Sequence, residues 1–119
     1  MAESEKEIQH RIMRHIGALP YLRVWRQNIG VARSMDGKRV IRYGHPGAAD
    51  LTGVLACGIR LELEVKRRGG RQSKDQRLFQ GVMDRMGAIY SVVDSEESVD
   101  QVLRGHLAGC SVCGDQNKW

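Results

Sequence analysis

Two carboxylates and a lysine near the middle of the sequence have the types and spacing needed for metal chemistry. Asp50 follows a loop rich in glycine and proline, and Glu64 and Lys66 lie two residues apart further along. Side chains two apart on a strand share a face, so a hairpin would set Asp50 opposite Glu64. Carboxylate oxygens suit Mg²⁺ or Mn²⁺, which can activate water against a phosphodiester. The spacing therefore predicts a hydrolytic site, with Lys66 placed to neutralise developing charge.

The elements that must position these residues follow from periodicity. Residues 59–66 alternate apolar and polar, which predicts a strand whose apolar face is complete. That complete face favours the site over the alternative of a solvent-facing polar stripe. Further strands are predicted at 22–28, 39–43, 49–55 and 88–93, with turns at 30–31, 35–37 and 57–58. Helices are predicted at 4–18, 73–86 and 95–107, with the N-caps Ser4, Ser73 and Ser95.

This order of elements, α-β-β-β-β-α-β-α, predicts an α/β fold with a mixed central sheet flanked by helices. Helical spacing predicts that the first helix buries Ile8, Ile12 and Ile16. The same spacing predicts burial of four residues in the second helix, namely Leu78, Phe79, Val82 and Met83.

Charge is distributed unevenly along the chain. The net charge is +5, but residues 21–85 carry +8 and residues 86–119 carry −3. Basic segments therefore flank the predicted acidic site on both sides, as expected where a polyanion must approach carboxylates. The six aromatic residues are too few for a base-stacking platform of the kind found in RNA-binding domains.

Length and composition indicate one domain. A chain of 119 residues fits a single domain, which we expect at residues 1–108, followed by a flexible tail at 109–119.

No apolar run is long enough for a transmembrane helix, and the charged N-terminal segment is unlike a signal peptide. An odd count of three cysteines argues against a disulfide framework. We therefore expect a cytoplasmic protein without a membrane partner.

The C-terminal segment contains one C-x-x-C motif. Cys110 and Cys113, together with His106, could supply three soft ligands to zinc. A single pair without a partner pair is weak evidence, and two free thiols on a flexible tail are the alternative. A dimer could in principle supply the missing ligands, and the sequence leaves the choice open.

The order of several motifs resembles a known family. A glutamate in the first helix is followed by G-H-P-G-A-A-D-L-T-G, which contains Asp50, and by L-E-L-E-V-K, which ends at Lys66. Q-S-K-D-Q then ends at Gln76, and R-Q-N-I-G and R-Y-G lie upstream. This set resembles the PD-(D/E)xK nuclease superfamily, and within it the VRR-NUC (virus-type replication-repair nuclease) domain in its short stand-alone phage form. The resemblance covers roughly residues 4–94, and it departs from the family where Ala49 replaces proline.

The resemblance implies a restriction-endonuclease-like core and a set of site residues. It implies that Asp50, Glu64 and the backbone carbonyl of Val65 bind Mg²⁺ or Mn²⁺ and that Lys66 is the catalytic lysine. Gln76 matches the family's glutamine at the start of the next helix. It also completes a capping box, and the two roles are compatible.

The helix-1 carboxylate has three candidates, Glu3, Glu5 and Glu7. Glu5 lies three residues before Ile8 and shares its inward face, and the family pattern of glutamate followed by Ile-Gln also selects Glu5. Glu7 is expected to pair with Arg11 on the outer face. The alternative for Glu5 is an acidic residue favoured by the helix dipole.

The resemblance further implies a homodimeric, structure-selective endonuclease acting on branched DNA such as Holliday junctions in phage or prophage replication, recombination or repair. The alternatives are a non-catalytic DNA-binding module with the same fold and a restriction-type nuclease that cuts duplex DNA. His45 could touch a metal or a phosphate, although a loop histidine more often does neither. Candidate contacts to the DNA backbone are Arg26, Asn28, Arg33, Arg42, Arg67, Arg68 and Arg71.

Overall fold

The structure, a computed structural model, describes residues 3–28, 30–115 and 117–119. It contains three helices and six strands within those ranges. In chain order they are α1 (Glu5–Ile16), β1 (Leu22–Arg26), β2 (Gly30–Arg33), β3 (Val40–Tyr43), β4 (Leu51–Leu55), β5 (Arg60–Val65), α2 (Lys74–Arg85), β6 (Ile89–Val93) and α3 (Glu96–Gly109).

Four strands form a mixed central sheet in the order β1-β4-β5-β6. The β1/β4 and β4/β5 pairs are antiparallel, and β5 and β6 are parallel. Helices α1 and α3 contact each other on one face, and α2 packs against β6 from the other. Strand β5 is central, and every residue after Arg60 is buried. The predicted α/β class with a mixed sheet between helices is confirmed.

The larger core lies between the sheet and the α1/α3 pair. Ile8, Ile12 and Ile16 are buried there as predicted, against strand residues such as Leu61 and Leu63. Each such side chain contributes about 1.5–3 kcal/mol to folding when it leaves water. The helix spacing of the isoleucines and the alternation along β5 therefore meet at one apolar interface.

Arg11 joins α1 to α3, and to the residues before α1, at the rim of this core. Arg11 donates to Glu3 Oε1 at 2.6 Å and to Glu96 Oε1 at 2.7 Å. The expected pairing of Arg11 with Glu7 is wrong, because Glu7 instead accepts from the Ser4 hydroxyl, the N-cap of its own helix. The three predicted serine caps are confirmed, since each hydroxyl accepts a backbone N–H in the first turn of its helix.

Strands β2 and β3 form a separate hairpin. The structure adds β2 where the sequence predicted a turn at 30–31, because Gly30 pairs with Tyr43 and the ladder continues to Arg33. A Cβ at Gly30 would lie 2.6 Å from the Tyr43 hydroxyl oxygen, so glycine permits this close pairing. The hairpin projects from the body. The radius of gyration of 15.8 Å therefore exceeds the value of about 13.5 Å for a compact chain of this length.

The predicted burial of α2 needs correction. Leu78 and Val82 of α2 are exposed, because the helix meets the sheet through Phe79 and the half-buried Met83.

The predicted domain boundary at residue 108 falls inside α3, which ends at Gly109. The following turn folds back so that Cys113 is 3% exposed and belongs to the main core. No helix in the described ranges is long and apolar enough to cross a membrane.

Candidate functional site

The start of β4 and the end of β5 bring Asp50 and Glu64 together. The antiparallel ladder pairs Leu51 with Leu63, so Asp50, one residue earlier, falls opposite Glu64. Asp50 Oδ2 accepts the backbone N–H of Val65 at 2.9 Å. The N–H and C=O of one strand residue point to the same side of the strand. The Val65 carbonyl therefore also points towards the side of β5 on which Asp50 lies. The hairpin geometry predicted from the sequence is therefore present.

Glu64 is a buried carboxylate with one oxygen bonded and one left over. Its side chain is 3% exposed, and Oε1 accepts the side-chain amide of Gln76 at 2.9 Å. Oε2 is buried and finds no hydrogen-bond donor among the described residues. Burial, followed by the Asp50 carboxylate, raises the pKa of Glu64 to about 8. Without a cation, Glu64 therefore holds a proton near neutral pH.

Glu5 is the helix-1 glutamate that reaches this cluster. Its negative charge contributes to the raised pKa of Glu64, and the Lys66 ammonium acts in the opposite direction. Glu5 Oε2 accepts the backbone N–H of Arg67 at 3.4 Å, which fixes it beside the end of β5. Glu3 and Glu7 are bound elsewhere, to Arg11 and Ser4.

The loop before Asp50 locks onto the N-terminus of α2. Gly47 has a φ of +80°, and a Cβ there would lie 2.1 Å from the carbonyl oxygen of Asp75. Only glycine permits both this conformation and this approach. Contact at Asp75 places the next residue, Gln76, against Glu64. Gln76 accepts the Ser73 backbone N–H through Oε1 at 2.8 Å while its Nε2 donates to Glu64.

The arrangement fits a hard divalent cation. A buried carboxylate oxygen without a donor, next to a second carboxylate, is the condition in which a cation would replace the proton on Glu64. The donors are oxygens, which suit Mg²⁺ or Mn²⁺ rather than a soft metal. Among the described residues, one group of three or more His, Cys, Asp or Glu side chains has all its donor atoms within 4.8 Å of one another. That group does not include these carboxylates. Glu5 therefore borders the Asp50–Glu64 pair without completing a tight triad.

The predicted DNA-contacting residues are all exposed. Arg26 ends β1 directly before Gln27, whose N–H bonds the Asp50 carbonyl. Arg67 and Arg68 line a groove together with Glu5. Asn28 follows β1, Arg33 and Arg42 lie on the hairpin, and Arg71 lies in the loop before α2. His45 packs its ring on Phe79 at 5.2 Å and bonds the Pro46 carbonyl, which gives it a packing role in the loop.

Sequence reasoning missed the burial of Glu62. This residue is fully buried on the same face as Glu64, where Oε1 accepts the Thr52 hydroxyl at 3.0 Å and pairs with Arg60. Burial raises the pKa of Glu62, and its Oε2 also lacks a donor among the described residues. The sequence did contain a signal for this. Glu62 lies two residues before Glu64, so its side chain is on the same face of the strand.

Comparisons with known proteins identify the fold. A solved structure described as a VRR_NUC domain superposes with a TM-score of 0.60 and 24% sequence identity, covering 84% of this chain and 94% of that one. No protein-family model matches the sequence, and no match is found among curated proteins. The chain therefore has the VRR-NUC fold, as the order of its motifs predicted.

Proposed function

We propose that this protein is a metal-dependent, structure-selective DNA endonuclease that hydrolyses phosphodiester bonds in branched DNA such as Holliday junctions. The observation that carries the proposal is the pairing of Asp50 with Glu64, whose buried Oε2 has no donor among the described residues. A buried carboxylate cluster of this kind, next to a lysine and arginine-lined grooves, matches phosphodiester chemistry better than a structural role. The VRR-NUC fold supports the same class of activity.

Asp50, Glu64 and the Val65 carbonyl would hold Mg²⁺ or Mn²⁺. When bound, such an ion polarises the phosphate and lowers the pKa of its water. Gln76 orients the Glu64 carboxylate through its amide, so that Oε2 stays directed away from the capping box. Lys66 lies on the same face, two residues beyond Glu64, where its ammonium can neutralise charge that develops on the phosphate. Glu5 orders the start of the loop between β5 and α2 by accepting the Arg67 backbone N–H.

DNA would reach the site between two basic regions. Arg67 and Arg68 lie at one side of the carboxylates and Arg26 at the other, while Arg33 and Arg42 extend along the hairpin. Contacts to phosphates position a duplex without reading its sequence. This suits an enzyme that selects the shape of its substrate.

A homodimer is part of the proposal, because a four-way junction needs two symmetric cuts. Exposed apolar side chains on α2 and on the hairpin face opposite Arg33 and Arg42 support a covered surface in the assembled enzyme; they include Ile41, Tyr43, Leu78 and Val82. A DNA substrate and free thiols support a cytoplasmic setting, that of a bacterial host if a phage encodes the protein. A role in phage or prophage replication, recombination or repair completes the proposal.

The test is cleavage of labelled four-way junction, linear duplex and single-stranded DNA in the presence of Mg²⁺ or Mn²⁺. We expect metal-dependent nicking of the junction in preference to the other substrates. Lys66→Ala and Asp50→Asn should lower the cleavage rate by at least about 100-fold. Lys74→Ala, which removes an exposed lysine at the start of α2, is the matched control and should cleave normally.

The alternative readings give different results in the same assay. Binding of DNA without cleavage under any metal condition would support a DNA-binding module and overturn the enzymatic proposal. Discrete fragments from long duplex DNA, with no preference for junctions, would favour a restriction-type nuclease. Equilibrium sedimentation should give twice the chain mass of 13.4 kDa, and a monomer at all concentrations would contradict the dimer.

A further inference from the structure

A second group of metal-binding side chains lies away from the carboxylates. Cys57, His106, Cys110 and Cys113 place one donor atom each so that all four atoms are within 4.8 Å of one another. Ligand atoms about 2.3 Å from a tetrahedral zinc ion lie about 3.8 Å apart. The four donors are therefore already close to the spacing that a single zinc ion requires.

The donors come from segments that are distant in the sequence. Cys57 lies in the turn between β4 and β5, and His106 lies in the last turn of α3. Cys110 is the C-cap of that helix, and Cys113 follows in the next turn. The fourth ligand missing from the C-x-x-C motif and His106 is thus supplied by the same chain, through a contact between the sheet and the C-terminal segment.

The local contacts favour metal binding over incidental packing. Cys57 Sγ lies 3.5 Å from His106 Nε2. The backbone N–H of Cys113 donates to Cys110 Sγ at 3.4 Å, a contact that stabilises a thiolate and orients it. All three cysteines are free thiols, and Cys113 is only 3% exposed. The group is therefore preorganised, with Cys113 buried and the other three residues half-buried.

We propose that Cys57, His106, Cys110 and Cys113 form a structural zinc site. Three thiolates and one imidazole select zinc over Mg²⁺ or Mn²⁺, which prefer oxygen ligands. Four protein ligands leave no open position for water, so the ion has a structural role. It cross-links the β4–β5 turn to the end of α3 and holds the turn at 110–113 against the core. The site is independent of the carboxylates, which lie at the opposite end of β4.

The first experiment measures metal in the full-length chain without a histidine tag. The protein is produced with added zinc and purified under reducing conditions without chelator, and its metals are quantified by mass spectrometry. We expect about one zinc per chain. Titration of zinc-free chain with Co²⁺ should give the intense visible bands and the thiolate charge-transfer band of a tetrahedral sulfur-rich site, and Zn²⁺ should displace the cobalt.

Variants identify the ligands. Cys57→Ser and His106→Asn should each lower the zinc content and weaken the cobalt bands at equal metal concentration. His10→Asn changes an exposed histidine on α1 and should retain both signals. Removal of zinc should lower the melting temperature by roughly 5–15 °C. The cobalt spectrum of the unaltered chain tests the site even if a cysteine variant fails to fold.

Several outcomes would overturn the proposal. Unaltered reduced protein that takes up no zinc and gives no tetrahedral cobalt spectrum would do so, as would iron or copper in place of zinc. A Cys57→Ser variant with unchanged zinc content and spectrum would remove Cys57 from the ligand set. Junction cleavage is measured separately, so failure of the zinc site would leave the proposed nuclease activity untouched.

Discussion

Glu64 is the residue at which burial opposes ionisation most strongly. A carboxylate that is 3% exposed remains ionised only with a compensating charge. Beside Asp50, its pKa rises to about 8 from its ordinary value of 4.5. Lys66 and the Gln76 amide do not offset this cost. The folded protein therefore contains a site that favours a proton or a cation.

The raised pKa of Glu64 predicts how the free energy of unfolding depends on pH. The prediction applies to a buffer that contains neither magnesium nor a chelator. Between pH 4.5 and about 8 the folded state binds more protons at Glu64 than the unfolded state does. The contribution of Glu64 to the free energy of unfolding therefore falls as the pH rises through this range. Glu64→Gln cannot ionise and should lose this contribution, as measured by urea unfolding at pH 5.5 and 8. Glu97→Gln, an exposed change on α3, should retain it, and identical pH slopes for wild type and Glu64→Gln would contradict the prediction.

Gln76 has two roles that substitution can separate. Ser73→Ala removes the capping hydroxyl and should cost about 1 kcal/mol of stability, while leaving the bond from Gln76 to Glu64. Gln76→Ala should cost a similar amount of stability and also lower the junction-cleavage rate by about 10–100-fold, because Glu64 loses its orienting donor. Thermal unfolding and cleavage are measured for both variants. An equal loss of cleavage in the two would show that Gln76 acts only as a cap.

The sequence predicted the pairing of Asp50 with Glu64 because its determinants are local. A two-residue spacing and a hairpin were enough to bring Asp50, Glu64 and Lys66 together. The burial of Glu62 could not be predicted in the same way. It depends on α2 covering that face of β5, which is a contact between distant segments.

The elements divide into a well-packed body and a projecting hairpin. Strands β2 and β3 pair with each other but add no strand to the central sheet. Val31, Arg33, Val40 and Arg42 share one face of the hairpin by register. Arg33 and Arg42 therefore lie on the same face of the hairpin. Sequence patterning did not predict β2, because a short run that begins with glycine carries little strand signal.

The hairpin arginines are expected to act through DNA phosphates. Arg33→Ala combined with Arg42→Ala should weaken junction binding and reduce the slope of log affinity against log salt by about 2. Stability should change by less than about 0.5 kcal/mol because both residues are exposed. Arg14→Ala with Arg104→Ala removes the same charge from exposed positions on α1 and α3. Equal salt slopes for the two double variants would mean that the hairpin does not contact DNA.

The whole molecule places two chemically different groups of donor side chains at the two ends of β4. Asp50 precedes the strand and Cys57 follows it, a separation of about 20 Å along the chain. The oxygen donors lie on the face that α2 covers, and the sulfur donors adjoin the core under α1 and α3. The sequence predicted the first group but left the second open, because Cys57 meets the C-x-x-C motif only through tertiary folding.

This separation predicts that the two ends contribute independently to stability. A double-mutant cycle with Glu64→Gln and Cys57→Ser should give free-energy changes that add within about 0.5 kcal/mol, since residues far apart without shared partners rarely couple. Urea unfolding at pH 8 measures all four proteins under one metal condition. A matched cycle with Glu64→Gln and Gln76→Ala joins residues in direct contact and should depart from additivity. Coupling of more than about 1 kcal/mol between positions 57 and 64 would show instead that β4 and β5 transmit strain from one end to the other.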